Sequence, residues 1–400
     1  AGVSVQSARP IVEALRDRLL AEVLRRSGYR TGAVSANTWV STHSGFATGF
    51  ERFVERLDGG RPAQMSTERL GDRLRWMASA ARARSDDGAA AAAATLEQWA
   101  AEPAPAPFFW FVNLVECHSP YLPPRPYAAL RAGGRMRAAL EASEWLNLAS
   151  FWRTCVTREA PEEPVLERMR SGYRGAIAYM DAWLGRVLEA LDAAGQLEDT
   201  LVIVSSDHGE NFGEGGLIGH GFSLDERLMR VPFVAAGPGA ERLEGIRSLA
   251  EVPGRLAAIA GVPEHPYDPS ELPPLPVAQF DSPAPGLDDP RTQRAIALWN
   301  LDEAAAARLV TPIAATTDGT VKLVVRGGRE EFYDLERDPS EREQLAAAAV
   351  GADAAARLRA ALAHPAATAS VARRVEPAPA AAEDPELAEL EDRMRLLGYL

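Results

Sequence analysis

Apolar residues recur at helical spacing between Pro10 and Ser27, at Ile11, Leu15, Leu19, Val23 and Leu24, and Gly28 follows as a stop. The positions Tyr173, Ile177, Met180, Leu184, Val187 and Leu191 step by four and three, which predicts a long amphipathic helix. Spans 65–83 and 89–101 also read as helices, the second an alanine run that ends in a Pro/Ala linker at 103–107. Between the helical stretches lie apolar runs of strand length: Thr31–Ala36, FFWFVNL from Phe108 to Leu114, TLVIVS from Thr200 to Ser205, and VPFVAA from Val231 to Ala236. Such uninterrupted runs suit strands covered on both faces. Helix, strand and loop in alternation predict an α/β fold for residues 1–262, a mostly parallel sheet with helices on both faces.

Beyond residue 262 the pattern changes. A proline-rich stretch at 263–290 precedes short strand candidates around Lys322–Val325 and Glu331–Leu335, then helical stretches at 340–363 and 385–397. Residues 263–400 therefore read as a smaller C-terminal α+β subdomain with a helical tail. No internal repeat is visible.

Composition narrows the possible functions. In 400 residues with 46% hydrophobic content there is material for a large core, and a formal charge of −13 argues against a nucleic-acid-binding surface. It does not exclude an anionic substrate, because a metal or a local basic cluster can invert the field inside one cleft. Two cysteines, Cys117 and Cys155, make neither a disulfide framework nor a four-cysteine zinc site. No apolar run approaches the roughly 18–20 residues needed to span a bilayer. The chain begins at Ala1 without a methionine, so its true N-terminus, with any targeting signal, is expected upstream. Localisation stays open between periplasmic or secreted and cytoplasmic, and the oligomeric state is not indicated.

In doubly covered sheets, ligands sit beyond the carboxyl ends of the strands, so chemistry is sought there. Asp207, His208 and Gly209 close the strand TLVIVSS, and Gly209 permits the turn that lets a carboxylate and an imidazole reach one ion. The alternative is a capping aspartate beside a surface histidine. His220 stands between Gly219 and Gly221 in the loop NFGEGGLIGHGF, able to fold back over that site or to remain an exposed loop histidine. His118 follows FFWFVNL in ECHSPYLPP, where two prolines and an aromatic hold its loop. Cys117 beside it reads as a buried structural thiol, since adjacent side chains of an extended segment diverge. A serine-hydrolase reading of Ser206, Asp207 and His208 fails for want of a G-x-S-x-G elbow and of a possible triad geometry.

These segments carry a family resemblance. FFWFVNLVECHSPYLPP, YRGAIAYMDAWLGRVLEAL, TLVIVSSDHGENFGEGG, GHGFSLDERLMRVPFVAAGPG, FYDLERDPSEREQL and the ending MRLLGYL, with LLAEVLRRSGYRTGAVSANTWVSTHSGFATGFERF upstream, resemble a sulfatase of the alkaline phosphatase superfamily. The resemblance implies a bound divalent cation, Ca2+ first with Mn2+ or Zn2+ as alternatives, held by Asp207 and His208. It implies that His118 and His220 contact the ester, one of them protonating the leaving oxygen, and that Asn37 is a substrate contact. The substrate implied is a small-molecule or glycan sulfate ester.

Two departures from the family pattern matter. Where many sulfatases carry lysine and histidine after the GYRT segment, this chain has Ala36, Asn37 and Thr38. The Asp-Asp pair and the C/S-x-P-x-R nucleophile segment that end the family's first strand are not found. The pairs Asp86-Asp87 and Asp288-Asp289 follow no buried strand and are rejected as ligands. The chain thus resembles a sulfatase lacking its first structural unit, inactive as given. Other readings are a phosphodiesterase, phosphonate hydrolase or phosphoglycerol transferase of the same superfamily, or a non-catalytic binding or structural relative.

Overall fold

A computed structural model describes residues 5–56, 86–103, 106–128 and 132–368. The helices expected at 65–83 and 385–397, and the terminal MRLLGYL, lie outside them. The predicted N-terminal helix is broken in two. Helices Val5–Ala14 and Leu20–Arg26 flank a single 3-10 turn, Arg16–Arg18, because Leu19 is extended (φ −77°, ψ 126°). The break sends Arg18 to Glu271 at 2.5 Å and to the Pro266 carbonyl at 3.0 Å.

Three parallel strands, β1 (Arg30–Ser35), β2 (Arg52–Glu55) and β3 (Phe108–Asn113), pair in the order β2-β1-β3. Side chains alternate across the sheet as strand geometry requires. Phe108, Trp110 and Val112 pack with Val34, Leu96, Trp99, Val187 and Leu191 under helices Ala89–Ala100 and Glu163–Ala193. Phe109 points the other way, into Val23, Leu24, Ala257 and Val262 of the helices Leu20–Arg26 and Val252–Ile259 and the residues after them. Helices therefore cover both faces. The helical stripe holds at Val187 and Leu191, whereas Ile177 is 47% exposed.

β4 (Val202–Ser205) leads into a segment that folds back through a two-residue ladder, β5 (Asn211–Phe212) with β6 (Ile218–Gly219), and returns as β7 (Phe233–Ala236). β7 pairs antiparallel with β4, contrary to the parallel strand that the sequence suggests for 231–236. The connection returns as a hairpin instead of crossing the sheet as a helix, so the strand comes back in the opposite sense. Full burial of the apolar strands does not hold either: Phe111, Val204 and Val234 are exposed. Among the described residues β3 is an edge of the parallel sheet, and β4–β7 is a separate two-stranded ladder.

In the C-terminal part, β8 (Val277–Phe280), β9 (Ile313–Thr317), β10 (Val321–Arg326) and β11 (Arg329–Asp334) form an antiparallel sheet in the order β11-β10-β9-β8. Gly327 and Gly328, both at positive φ (55° and 88°), make the two-residue turn that joins β10 to β11. Helix Ala352–Leu362 closes this core around Leu323, Phe332, Val350 and Leu358. No helix among the described residues is long and apolar enough to cross a membrane.

The long helix also seats the loop that follows β3. A Cβ on Gly172 would lie 2.1 Å from the Tyr121 carbonyl oxygen, and one on Gly175 would lie 2.4 Å from that of Tyr127. Only glycine lets the loop backbone approach this closely, which fixes the height of His118 above the helix.

Candidate active site

His118 stands in the loop after β3. Its Nδ1 lies 3.0 Å from the Ser119 carbonyl oxygen and 3.3 Å from Ser119 Oγ, and the carbonyl contact favours the tautomer with the proton on Nδ1. Three residues after His118, Tyr121 adopts φ 54° and turns its ring down onto Tyr173 and Phe212, in a core shared with Leu122, Leu166, Met169 and Ile218. That core underlies both the His118 loop and the β5–β6 hairpin, and so sets one against the other.

β4 ends at Ser205, and the next residues turn. Ser206 Oγ donates to the His208 carbonyl at 2.7 Å, while Asp207 Oδ1 accepts the His208 N–H at 3.1 Å. His208 Nδ1 donates to the Gly209 carbonyl at 2.9 Å, which presents Nε2 to Asp207 Oδ1 at 3.7 Å. A backbone carbonyl on one ring nitrogen is the usual way to aim the other at a ligand.

The β5–β6 hairpin then brings His220 back over the turn. Its ring stacks on His208, with centroids 3.9 Å apart and planes at 24°, and meets His118 edge-on at 5.2 Å. His220 Nδ1 donates to Glu210 Oε1 at 3.2 Å, and the Glu210 side chain is only 4% exposed. The structure thus gathers His118, His208, His220 and Asp207 at one strand-end cleft. Asn37 lies at the end of β1, and its Oδ1 accepts the Trp39 N–H at 2.9 Å, leaving the amide nitrogen as the group it can offer.

Burial disfavours a charged His220 ring, but the hydrogen bond and charge of Glu210, with the charge of Asp207, outweigh it and raise its pKa. His118 moves the opposite way, lowered first by burial and then by the charge on His220. Glu210 pays for its burial with that ion pair and stays below its ordinary carboxyl value. Neighbouring imidazoles driven apart in this way are suited to separate acid and base roles. Glu210→Gln should therefore lower the His220 pKa in metal-free protein, read by NMR titration of the ring; an unmoved titration would show that Glu210 does not hold the charge.

Sequence alone assigns Glu210 no role. The signal was the last letter of DHGE, two residues past His208. Other polar groups near the site are otherwise engaged. Burial first, then the charges of Glu116 and Glu210, push the Cys117 thiol up to about 11, which keeps it protonated and fits a structural residue. Ser205 Oγ donates to the Pro232 carbonyl at 2.9 Å. Asp86 accepts the Gly88 and Ala90 N–H groups and the Tyr179 hydroxyl at the start of helix Ala89–Ala100. Asp289 caps helix Pro290–Trp299 through the Arg291 and Thr292 N–H groups.

The residues present fit a divalent cation. Donors bound to one ion at about 2.0–2.4 Å stand roughly 3 Å apart, and the Asp207–His208 spacing of 3.7 Å is near that. Donor atoms of His208, Glu210 and His220 all lie within 4.8 Å of one another. Glu210 Oε2 is buried near the Tyr121 hydroxyl, a further anionic oxygen within the same cluster.

Comparison with known proteins shows the family. Choline-sulfatase of Rhizobium meliloti is 30% identical over 191 residues, covering 46% of this chain and 34% of the relative. The multifunctional alkaline phosphatase superfamily protein PehA of Trinickia caryophylli is 31% identical over 156 residues, covering 35% of this chain and 30% of the relative. The chain thus spans about a third of the length of these relatives. Phosphonate monoester hydrolase SpPMH of Silicibacter pomeroyi shares the fold, with a TM-score of 0.53 at 18% identity over 90% of this chain and 80% of that one. The family profile described as Sulfatase matches residues 2–261, more than half of the chain. The chain belongs to the sulfatase family.

Proposed function

We propose that the cleft performs metal-dependent hydrolysis of a small-molecule or glycan sulfate ester. One observation carries the reading: His220, hydrogen-bonded to the buried Glu210 carboxylate, stacks on His208 and meets His118 edge-on, beside the Asp207 carboxylate. Asp207 and His208 would hold the cation, with Glu210 as a further oxygen. The bound ion would neutralise charge on the non-bridging ester oxygens. Ca2+ remains the first expectation; the imidazole in the donor set also suits Mn2+ and Zn2+.

As the bond to the leaving group breaks, negative charge gathers on the bridging oxygen. His220 gives that oxygen its proton, and Glu210 keeps the ring charged beforehand. His118, whose pKa is lowered by burial and by the charge on His220, is the group to accept a proton from the attacking hydroxyl or water. The Asn37 amide nitrogen can donate to an ester oxygen. No C/S-x-P-x-R segment occurs in the 400 residues, and none of the described side chains is assigned as the nucleophile.

Ca2+, Mn2+ and Zn2+ titrations followed by melting temperature test the metal. At a hundredfold excess over the dissociation constant, a ligand bound only by the folded state adds about 2.7 kcal/mol. The melting temperature should rise in the unaltered chain and stay flat in Asp207→Ala and His208→Ala. Stabilisation that survives Asp207→Ala would put the ion elsewhere and sink the reading.

A further inference from the structure

The motif FYDLERDPSE plays no part in the chemistry above, yet the residue that closes it, Glu341, holds the segment on which the Asp207 turn rests. Lys322, the only lysine in the chain, is buried in β10 with its side chain 2% exposed. Its Nζ has three donors and three acceptors: the Leu224 carbonyl at 2.5 Å, Glu226 Oε1 at 2.9 Å and Glu341 Oε1 at 3.1 Å. Glu341 Oε1 also accepts the Glu226 N–H at 2.6 Å, and Arg227 Nη1 donates to the Ser340 carbonyl at 3.3 Å. Residues 224–227 are thereby clamped to the C-terminal sheet.

The next link leads to the site. Gly209 N donates to the Leu228 carbonyl at 2.9 Å, and a Cβ on Gly209 would lie 2.0 Å from the Arg227 carbonyl oxygen. The turn that carries Asp207 and His208 therefore leans directly on the clamped backbone, with no room between them. Glu341 holds φ 53°, a left-handed conformation that is unfavourable for a side-chain-bearing residue and persists only where its surroundings impose it. A plain contact between subdomains needs only apolar side chains. A buried ammonium with every donor satisfied adds little stability over such a contact but fixes one geometry.

We propose that Lys322 and Glu341 are positioning residues that set, through the backbone of 224–228, where Asp207 and His208 stand. Their consequence for metal affinity rests on the metal reading above; their effect on the turn does not. The test uses Lys322→Met, Glu341→Met and, as a control in the same buried sheet but outside the clamp, Phe332→Leu. In metal-free, isotope-labelled protein the His208 and His220 ring signals should shift in the first two variants and stay in place in the control, even where all three lower the melting temperature. Mn2+ affinity should fall on the order of tenfold in the clamp variants. Should Lys322→Met fail to fold, Glu341→Met, which removes the oxygen that accepts from both Lys322 Nζ and the Glu226 N–H, carries the same comparison. Ring signals unmoved in folded Glu341→Met, with only its stability reduced, would overturn the proposal. If Asp207→Ala leaves Mn2+ binding intact, the metal reading fails, while the ring shifts still decide the clamp.

Discussion

Aryl sulfate or aryl phosphate mixed with residues 1–400 and a divalent ion is expected to hydrolyse no faster than in metal-containing buffer. The histidines supply proton transfer worth about 10²- to 10⁴-fold, but a covalent route also needs a nucleophile held in line. The serines after β4 and the nearby cysteine do not offer one: Ser205 and Ser206 donate to backbone carbonyls, and Cys117 stays a thiol. The exposed apolar residues of β3, β4 and β7 belong to strands that, among the described residues, are short or at an edge and invite pairing with other chains, so residues 1–400 should also self-associate. Metal-dependent turnover by residues 1–400 that disappears in Asp207→Asn would show the nucleophile to be misplaced. Its loss in Ser119→Ala would assign it to Ser119, whose Oγ lies 3.3 Å from His118 Nδ1.

In a form that turns over, His220→Ala should lower kcat by about 10²- to 10⁴-fold. The loss should be greatest for alkyl esters, whose leaving oxygen needs the proton, and least for nitrophenyl esters. An acid works only while protonated, so activity should fall as pH rises through the His220 pKa. Because Glu210 raises that pKa, Glu210→Gln should move the alkaline limb to lower pH. An equal loss for every leaving group would make His220 a binding residue and not the acid.

Strand ends were the most legible feature of the sequence. Phe108–Asn113 and Val202–Ser205 are apolar runs bounded by polar residues, and both His118 and Asp207 stand just past them. The pairing of β7 was not legible, since an apolar run such as VPFVAA has no direction until the returning hairpin gives it one. Exposure of Phe111 and Val204 depends on which strands lie alongside, information that no single run contains. Glu210 and Lys322 escaped for a different reason: a lone charged residue in a pattern reads as surface. Here each is buried by partners distant in sequence or in a hairpin, His220 for one and Glu226 with Glu341 for the other.

A cation next to Asp207 with three imidazoles around it is the centre of the proposed function. Titrating Mn2+ into isotope-labelled protein tests this directly, because the paramagnetic ion broadens nearby ring signals most strongly. His208 should broaden first, with His220 and His118 close behind, while His265 beside Tyr267 and His364 after helix Ala352–Leu362 stay sharp. Broadening centred on His265 or His364, or His118 left sharp while His208 vanishes, would contradict a shared site.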